Sequence, residues 1–511
     1  MTTAHTTSGK PTSYWVDSTP DTTHPQLDRD LSVDVAVVGA GMLGVTAALM
    51  LKRQGAKVAL LEGGRVAGGV TAYTTAKVAS SHGVHYKPVT SSFGEDGARA
   101  YAQAQEAALE RMADHVDELS IDCDWRRKPS LIYSIDEKER DRIEQEYEAC
   151  RQAGLPVSFV TEAPDLPFPI VAAVRYENQA EFHPRKYLLA LAREIPGAGC
   201  AIYERSRVVS ARDGEPGRVT TAEGYTVTAD NVIIATHFPF MDRGLYFARQ
   251  HPERSYAMGV YVDDHQVEGM YLSTESPSHT LRSIPTERGE MLLVGGESHK
   301  VGQADEEERY AKLVAWAREH WKVREFAYRW STQDNMPIDG VPFIGKLNPG
   351  AKSFWVGTGF RKWGLTNGTA AATILSEAIA GREVPYAHVF DSTRVGPLSG
   401  AKELIKENVN VGRRFFQDHL ARPDEREAGD LAPGEGGTVR QGAKKVAAYR
   451  DDDGTLHTVS NVCTHLGCAV TWNDAERSWD CPCHGSRFHW DGTVIQGPAV
   501  KDLKPVELDE D

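Results

Sequence analysis

Six side chains that can bind a transition metal lie close together near the end of the 511-residue chain. They are four cysteines and two histidines: Cys463, His465, Cys468, Cys481, Cys483 and His484. A zinc site takes four nitrogen or sulfur ligands, so six candidates are too many for one ion. In the pairs Cys463-x-His465 and Cys481-x-x-His484, two thiolates can hold one iron and two imidazoles a second iron. The spacing therefore favours a two-iron cluster.

A second set of residues could bind a dinucleotide. Gly39, Gly41 and Gly44 follow the apolar segment 33–38 and open a helical segment, and Glu62 ends the next apolar segment. The first glycine permits a tight turn, the second lets the backbone approach a pyrophosphate, and the third lets helix and strand pack closely. The helix N-terminus then faces the phosphates, and the acidic residue can accept hydrogen bonds from a ribose diol.

Three further segments favour FAD over NAD. Residues 62–83 are rich in small and hydroxyl side chains, which suit the ribityl chain and pyrophosphate of a flavin. A predicted strand ends at Thr236, and a late glycine loop opens a helix at Leu365. The N-terminus of that helix, with Arg361 or Lys362 nearby, would stabilise the negative charge of a reduced flavin.

Strands and helices alternate along most of the chain, which indicates an α/β protein. Helical periodicity is found around 95–120, 136–153, 184–195, 305–321 and 398–420. A charged segment rich in Gly and Pro follows and is typical of a linker, and short β-type segments come after it. We divide the chain into a polar arm (1–30), an oxidoreductase domain (31–397), a helix and linker (398–427) and a small all-β domain (428–511).

The composition excludes several classes of protein. The formal net charge is −15, which argues against a nucleic-acid partner. No apolar run approaches the ~20 residues of a membrane span. The first residues are polar and lack the apolar core of a signal peptide, so we expect a disordered arm on a cytoplasmic protein. Three scattered cysteines outside the tail fit that compartment.

Residues 30–385 resemble the D-amino-acid oxidase and sarcosine oxidase family of FAD enzymes. The resemblance rests on the glycine turn, on residues 339–345 and on the late glycine loop. It implies a Rossmann-type FAD-binding fold, at about 31–95, 195–245 and 330–385, with an inserted α+β substrate domain. Together with the segments above, it predicts FAD contacts from Gly39, Gly41, Gly44, Glu62, Val208, Thr236, Gly359, Lys362, Leu365 and Thr366. Some members attach the flavin through a cysteine late in this domain. No cysteine lies between Cys200 and Cys463, so that linkage is absent, and attachment through a histidine stays open.

Four residues are candidates for the substrate side of the flavin: Lys77, His183, Tyr271 and Arg282. In the resembled family a basic side chain often grips a substrate carboxylate. Lys77 and Arg282 are therefore our candidate catalytic residues, although a structural role is the alternative for each. The segment around Lys77 departs from the pattern of the oxidases.

The tail resembles the Rieske proteins of cytochrome bc-type complexes over about 80 residues. The resemblance implies a [2Fe–2S] cluster held by Cys463, His465, Cys481 and His484. It also implies a disulfide between Cys468 and Cys483, even in the cytosol, and a hydroxyl donor at Ser486. Phe488 stands where the family has a tyrosine that donates to a ligand sulfur, so we expect a lower reduction potential.

The two sites together predict an oxidoreductase that acts on a small substrate. We expect a dehydrogenase of an amine or amino-acid C–N bond that transfers electrons from FAD to the cluster and on to an acceptor. One alternative is an NAD(P)H-dependent reductase, although no second dinucleotide turn is found. Another is a non-enzymatic redox or electron-transfer protein. A Rieske oxygenase is disfavoured because no catalytic iron domain follows the tail.

Overall fold

The computed structural model describes residues 9–241, 243–264, 267–302, 305–394, 427–441 and 444–507. Within these ranges the α-helices are Tyr14–Asp17 (α1), Met42–Arg53 (α2), Tyr86–Glu118 (α3), Arg140–Gln152 (α4), Pro184–Arg193 (α5), Tyr246–Arg249 (α6), Glu306–His320 (α7) and Gly364–Ile379 (α8). The predicted helix at 398–420 and most of the predicted linker lie outside the described residues.

The strands fall into four sheets. In chain order they are Leu31–Val38 (β1), Val58–Leu61 (β2), Lys77–Val78 (β3), Arg126–Ser134 (β4), Val157–Val160 (β5), Ala172–Glu181 (β6), Ala201–Tyr203 (β7), Val208–Arg212 (β8), Gly217–Thr221 (β9), Thr226–Ile234 (β10), Gln250–Val262 (β11), Met270–Ser273 (β12), His279–Thr286 (β13), Gly289–Lys300 (β14), Val323–Pro337 (β15), Phe343–Lys346 (β16), Phe354–Thr358 (β17), Gly436–Gln441 (β18), Lys444–Arg450 (β19), Leu456–Ser460 (β20), Thr471–Asn473 (β21), Ser478–Asp480 (β22), Arg487–His489 (β23) and Val494–Gln496 (β24).

The first sheet has the order β16-β17-β10-β1-β2-β7, with β9 also beside β10 and β8 beside β9. Its strands from β17 to β7 run parallel, which requires cover on both faces and explains why the second half of β1, residues 35–38, is fully buried. The helix α2 follows β1 directly and packs against α8. The turn between β1 and α2 therefore lies at the carboxyl edge of the sheet, where dinucleotides bind in such folds.

The second sheet has the order β15-β11-β14-β13-β12-β4-β6-β3, with β5 beside β6. It is mostly antiparallel, and its longest pairing joins β11 to β15. The segments that form it are separated along the chain by parts of the first sheet. The predicted combination of a Rossmann-type fold with an inserted α+β domain is confirmed.

The C-terminal domain consists of two antiparallel sheets, β18-β19-β20 and β21-β22-β23-β24. The predicted small all-β domain is thus confirmed. The candidate metal ligands lie in two loops, one between β20 and β21 and the other between β22 and β23.

The expectation of a disordered N-terminal arm is wrong for residues 9–30. The side chain of Trp15 is 1% exposed, and its Nε1 donates a hydrogen bond of 2.8 Å to the carbonyl of Thr74. The backbone N–H of Lys10 bonds to the carbonyl of Ala327, and Leu27 is also buried. A few large apolar side chains therefore anchor a polar segment. None of the described helices is both long and apolar enough to span a lipid bilayer.

Candidate functional site

The turn between β1 and α2 requires glycine at two positions. Gly39 has φ +104°, and a side-chain carbon there would lie 2.5 Å from the carbonyl oxygen of Ala235. A side-chain carbon at Gly44 would lie 1.7 Å from the carbonyl oxygen of Gly39. Gly41 is the N-cap of α2 and makes no side-chain cap. The N–H of Met42, the first of the helix, contacts the hydroxyl of Thr71 at a long 3.4 Å, so this helix end can still bind an anion.

Glu62 follows β2 at the carboxyl edge of the same sheet. Its carboxylate accepts hydrogen bonds from the backbone N–H groups of Ala40, at 2.8 Å, and Gly64, at 2.7 Å. Burial raises the pKa of this carboxyl, and the two N–H donors oppose that effect. The side chain is thus fixed beside the glycine turn, in the position that a ribose-binding acid needs.

A cavity of about 1570 Å³ starts at this turn. The predicted residues that line it are Gly39, Gly41, Glu62, Lys77, Val208, Thr236, Lys362 and Leu365. Gly44, Gly359 and Thr366 are not among the lining residues. Gly359 has φ +75° and lies against Pro337, so it shapes the late loop from behind.

The N-terminus of α8 faces the cavity at Trp363 and Leu365. Lys362, just before it, forms an ion pair of 2.9 Å with Glu253. Arg361 is turned inward and donates to the carbonyl of His82. The positive end of the helix and the guanidinium of Arg361, which also lines the cavity, are therefore the groups that could stabilise negative charge here, because the charge of Lys362 is balanced by Glu253.

The four predicted cluster ligands come together in the C-terminal domain. Cys463 and Cys481 are buried, and their thiols interact directly. The rings of His465 and His484 have centroids 5.1 Å apart. The Nδ1 atom of His484 is buried and has no hydrogen-bond partner among the described residues. Two paired sulfurs and an imidazole nitrogen held out of water suit a [2Fe–2S] cluster.

The two ligand loops are joined by a disulfide between Cys468 and Cys483. Their sulfurs lie within 4.8 Å of the Cys481 sulfur, but since they are bonded to each other they are not available as ligands. Ser486 accepts a hydrogen bond from the N–H of Ala499, and its hydroxyl also contacts the Cys463 sulfur. Phe488 is fully buried in the same apolar cluster as the two ligand cysteines.

Comparison with known protein families agrees with both sites. The profile described as FAD dependent oxidoreductase (DAO) matches residues 34–378, which is most of the chain. The chain belongs to this FAD dependent oxidoreductase family. The profile of the Rieske [2Fe-2S] domain matches residues 424–507 of the same oxidoreductase.

The oxidoreductase is 38% identical over 513 residues to YhfW of Bacillus subtilis (strain 168), a protein named for a Rieske 2Fe-2S iron–sulfur centre, and the match covers 100% of both chains. It is 36% identical over 144 residues to the chloroplastic cytochrome b6-f complex iron-sulfur subunit 2 of Nicotiana tabacum, covering 27% of this chain and 57% of that protein. Among solved structures it is similar to glycine oxidase from Geobacillus kaustophilus, with a TM-score of 0.59 and 18% identity, covering 73% of this chain and 100% of that chain. The last similarity concerns the fold alone.

FAD and a Rieske [2Fe–2S] cluster are therefore the cofactors of this oxidoreductase. The residues present fit both groups: a glycine turn with an acidic partner opens onto a large cavity, and two cysteines and two histidines face one another.

The two candidate catalytic residues lie in different places. Lys77 lines the cavity, and its Nζ donates to the carbonyl of Tyr271 and to the hydroxyl of Thr280. Arg282 is 1% exposed, does not line the cavity and pairs with Glu181 at 3.3 Å. Arg282 is therefore a buried structural cation, and we do not propose that it binds the substrate.

The other two candidates have structural partners. The hydroxyl of Tyr271 donates to Asp165, and only its backbone carbonyl contacts Lys77. His183 is the N-cap of α5 and accepts from the N–H of Lys186.

Sequence reasoning missed several residues of the cavity. His82 stacks on Trp363, with ring centroids 4.7 Å apart, and shares a hydrogen bond of 2.6 Å with the hydroxyl of Tyr101. Trp330 and Asp334 also line the cavity, and burial raises the pKa of Asp334 to about 6. The sequence shows two histidines close together at 82–85, and this pair could have pointed to the site. Trp330 and Asp334 could not be found in this way, because their place in the cavity depends on where β15 lies in the second sheet.

Proposed function

We propose that this oxidoreductase oxidises the C–N bond of an amine or amino acid, with electrons leaving through the Rieske cluster to a one-electron acceptor. The observation that carries the proposal is the presence of both sites in one chain, with a single cavity lined by residues of both domains. An enzyme that delivered electrons directly to oxygen would not need the cluster.

When bound, FAD supplies a two-electron hydride acceptor and the cluster a one-electron carrier. The substrate would lose a hydride from the carbon next to nitrogen, and water would hydrolyse the resulting imine. The N-terminus of α8 supplies the positive potential that favours a reduced flavin.

Lys77 is the group that we assign to a substrate carboxylate. It is 6% exposed and lies over the face of Trp363, with Nζ 5.8 Å from the ring centroid. A cation in such a dry site attracts an anion strongly, because water does not screen the pair. The aromatic walls at Trp330 and Trp363 help to exclude water from the same space.

The test is an anaerobic reduction of the purified holoprotein. Secondary amines, tertiary amines and amino acids are mixed in turn with the protein, flavin absorbance is followed, and the samples are frozen for EPR. Bleaching followed by the signal of a reduced Rieske cluster supports the proposal. Bleaching without that signal contradicts electron transfer to the cluster and favours an oxidase.

A Cys481→Ser variant is the matched control, because it removes one cluster thiolate and leaves the FAD cavity intact. It should bleach with the same substrate and give no cluster signal. Bleaching of the wild type by NADH or NADPH, with none by any amine, would favour the reductase alternative.

A further inference from the structure

The contact between the two domains contains a buried arginine. Arg254 lies on β11 of the second sheet and is 1% exposed. Its Nη1 atom is 2.7 Å from a carboxylate oxygen of Asp480 and 3.8 Å from one of Glu476, both in the C-terminal domain. A buried charge without a counter-ion is strongly unfavourable, so this arginine needs the C-terminal domain in place.

The two carboxylates are balanced within their own domain by a second arginine. Arg487 on β23 pairs with Asp480 at 3.0 Å and also with Glu476. Asn473 and Ser478 donate further hydrogen bonds to Asp480. Two cations therefore face two anions, which offsets much of the cost of burying these charges, although Nε of Arg254 has no hydrogen-bond partner among the described residues.

A second contact reaches the ligand loop itself. The Nε2 atom of Gln333 on β15 donates a hydrogen bond of 2.7 Å to the carbonyl of Gly485, the residue after the cluster ligand His484. A side-chain carbon at Gly485 would lie 2.2 Å from that Nε2 atom. The ring of Phe247 lies 5.8 Å from the ring of His484. The loop is thus seated closely on the oxidoreductase domain.

The surface of the C-terminal domain that contacts the oxidoreductase domain also borders the FAD cavity. Residues of the C-terminal domain that line the cavity with the glycine turn include Arg487, His489, Gln496 and Ala499. Arg207, next to the predicted FAD contact Val208, donates a hydrogen bond of 2.8 Å to the carbonyl of Val494. The C-terminal domain therefore covers the cavity close to its dinucleotide end.

We propose that the Rieske domain is a fixed wall of the FAD-binding cavity, and that Arg254 and Gln333 are the positioning residues that hold it there. Bound FAD is then retained by both domains, and the cluster stays beside the oxidoreductase domain instead of swinging away. This inference does not depend on the identity of the substrate.

The test compares FAD retention in full-length holoprotein variants without any substrate. Arg254→Met removes the charge and keeps much of the side-chain volume, Arg254→Lys keeps the charge, and Gln333→Leu removes the second contact. Arg288→Met is the control, because Arg288 lies just before β14 in an exposed ion pair with Glu325. FAD release is followed by its fluorescence, interface opening by hydrogen exchange of residues 484–500, and cluster integrity by EPR.

We expect FAD to dissociate at least about tenfold faster from Arg254→Met, with faster exchange at 484–500 and an unchanged cluster signal. Arg254→Lys should recover part of the retention, Gln333→Leu should show a smaller increase, and Arg288→Met should match the wild type. Faster hydrogen exchange with unchanged FAD release would contradict the proposal that the Rieske domain is a wall of the FAD-binding cavity. Unchanged exchange in both Arg254→Met and Gln333→Leu would overturn the positioning role. If Arg254→Met does not fold, Gln333→Leu decides between the same outcomes.

Discussion

Lys77 is a cation whose charge depends on what occupies the cavity. Burial, and after it the charge of Arg282, lowers its pKa to about 7 against the opposing effect of Glu181. A carboxylate bound next to Nζ would favour the charged form and raise this pKa. Below pH 7 the lysine is already protonated. Above pH 7 a proton must be taken up first, so binding of an anion weakens.

We therefore expect acetate to bind the holoprotein with nearly constant affinity between about pH 5.5 and 7, where it is still an anion, and about tenfold more weakly for each pH unit above pH 7. Lys77→Met should bind acetate weakly at every pH. The measurement is titration of the flavin absorbance, with Lys312→Met as a control that keeps the pH dependence, because Lys312 lies in an exposed pair with Glu308 and does not line the cavity. An unchanged slope in Lys77→Met would assign the anion site to another residue.

At the scale of elements, the disulfide between Cys468 and Cys483 joins two loops that carry all four cluster ligands. The first loop connects the two sheets of the C-terminal domain and the second connects β22 to β23, so the disulfide ties two separate connections of the chain together. A bond that closes a 15-residue separation contributes about 3 kcal/mol in the chain-entropy model.

We expect a Cys468→Ser/Cys483→Ser double variant to lose its cluster at least about tenfold faster on warming, since the loops then separate more readily. FAD retention should fall less, because the glycine turn is unaffected. Loss of visible absorption and of the EPR signal with time measures the effect. Cys200→Ser is the control, because Cys200 is buried in the other domain and bonded to backbone groups that a serine can also bond. Equal rates in both variants would show that the disulfide does not hold the loops.

Local signals predicted the elements that have a strong local pattern. Strand β1, the glycine turn, α2 and Glu62 form one contiguous unit, and Pro184 begins α5 as expected. The long strands β11 and β15 were not predicted. In β11 the run His251, Pro252, Glu253, Arg254 interrupts the alternation of apolar and polar residues, because this part of the strand faces the other domain.

At the scale of the whole molecule, sequence patterns identified two domains and two cofactors but could not predict how the domains meet. The residues that join them, such as Arg254 and Asp480, are more than 200 positions apart in the chain. An arginine and an aspartate in such segments normally indicate solvated surface. Only folding brings these residues into one buried network, and that network positions the Rieske domain as a wall of the FAD cavity.

This domain junction should respond to pH through Glu306, the first residue of α7. Its pKa is raised to about 7, mainly by burial and also by the charges of Asp480 and Glu476, while Arg254 opposes the rise. The folded-state pKa lies above the ordinary value of 4.5, so the protonated form favours the folded, docked state. That stabilisation is present below pH 4.5 and is lost as the pH rises to about 7, at a cost of at most ~3 kcal/mol.

Glu306→Gln is neutral at every pH and should keep the thermal midpoint of the holoprotein higher than that of the wild type at pH 8, with little difference near pH 4.5. Glu308→Gln is the matched control, since Glu308 lies two residues on in an exposed pair with Lys312 and should leave the pH dependence unchanged. Parallel midpoint curves for wild type and Glu306→Gln would mean that Glu306 ionises without affecting the junction, whereas convergence at low pH would identify it as the group that loosens the docked domain in mild alkali.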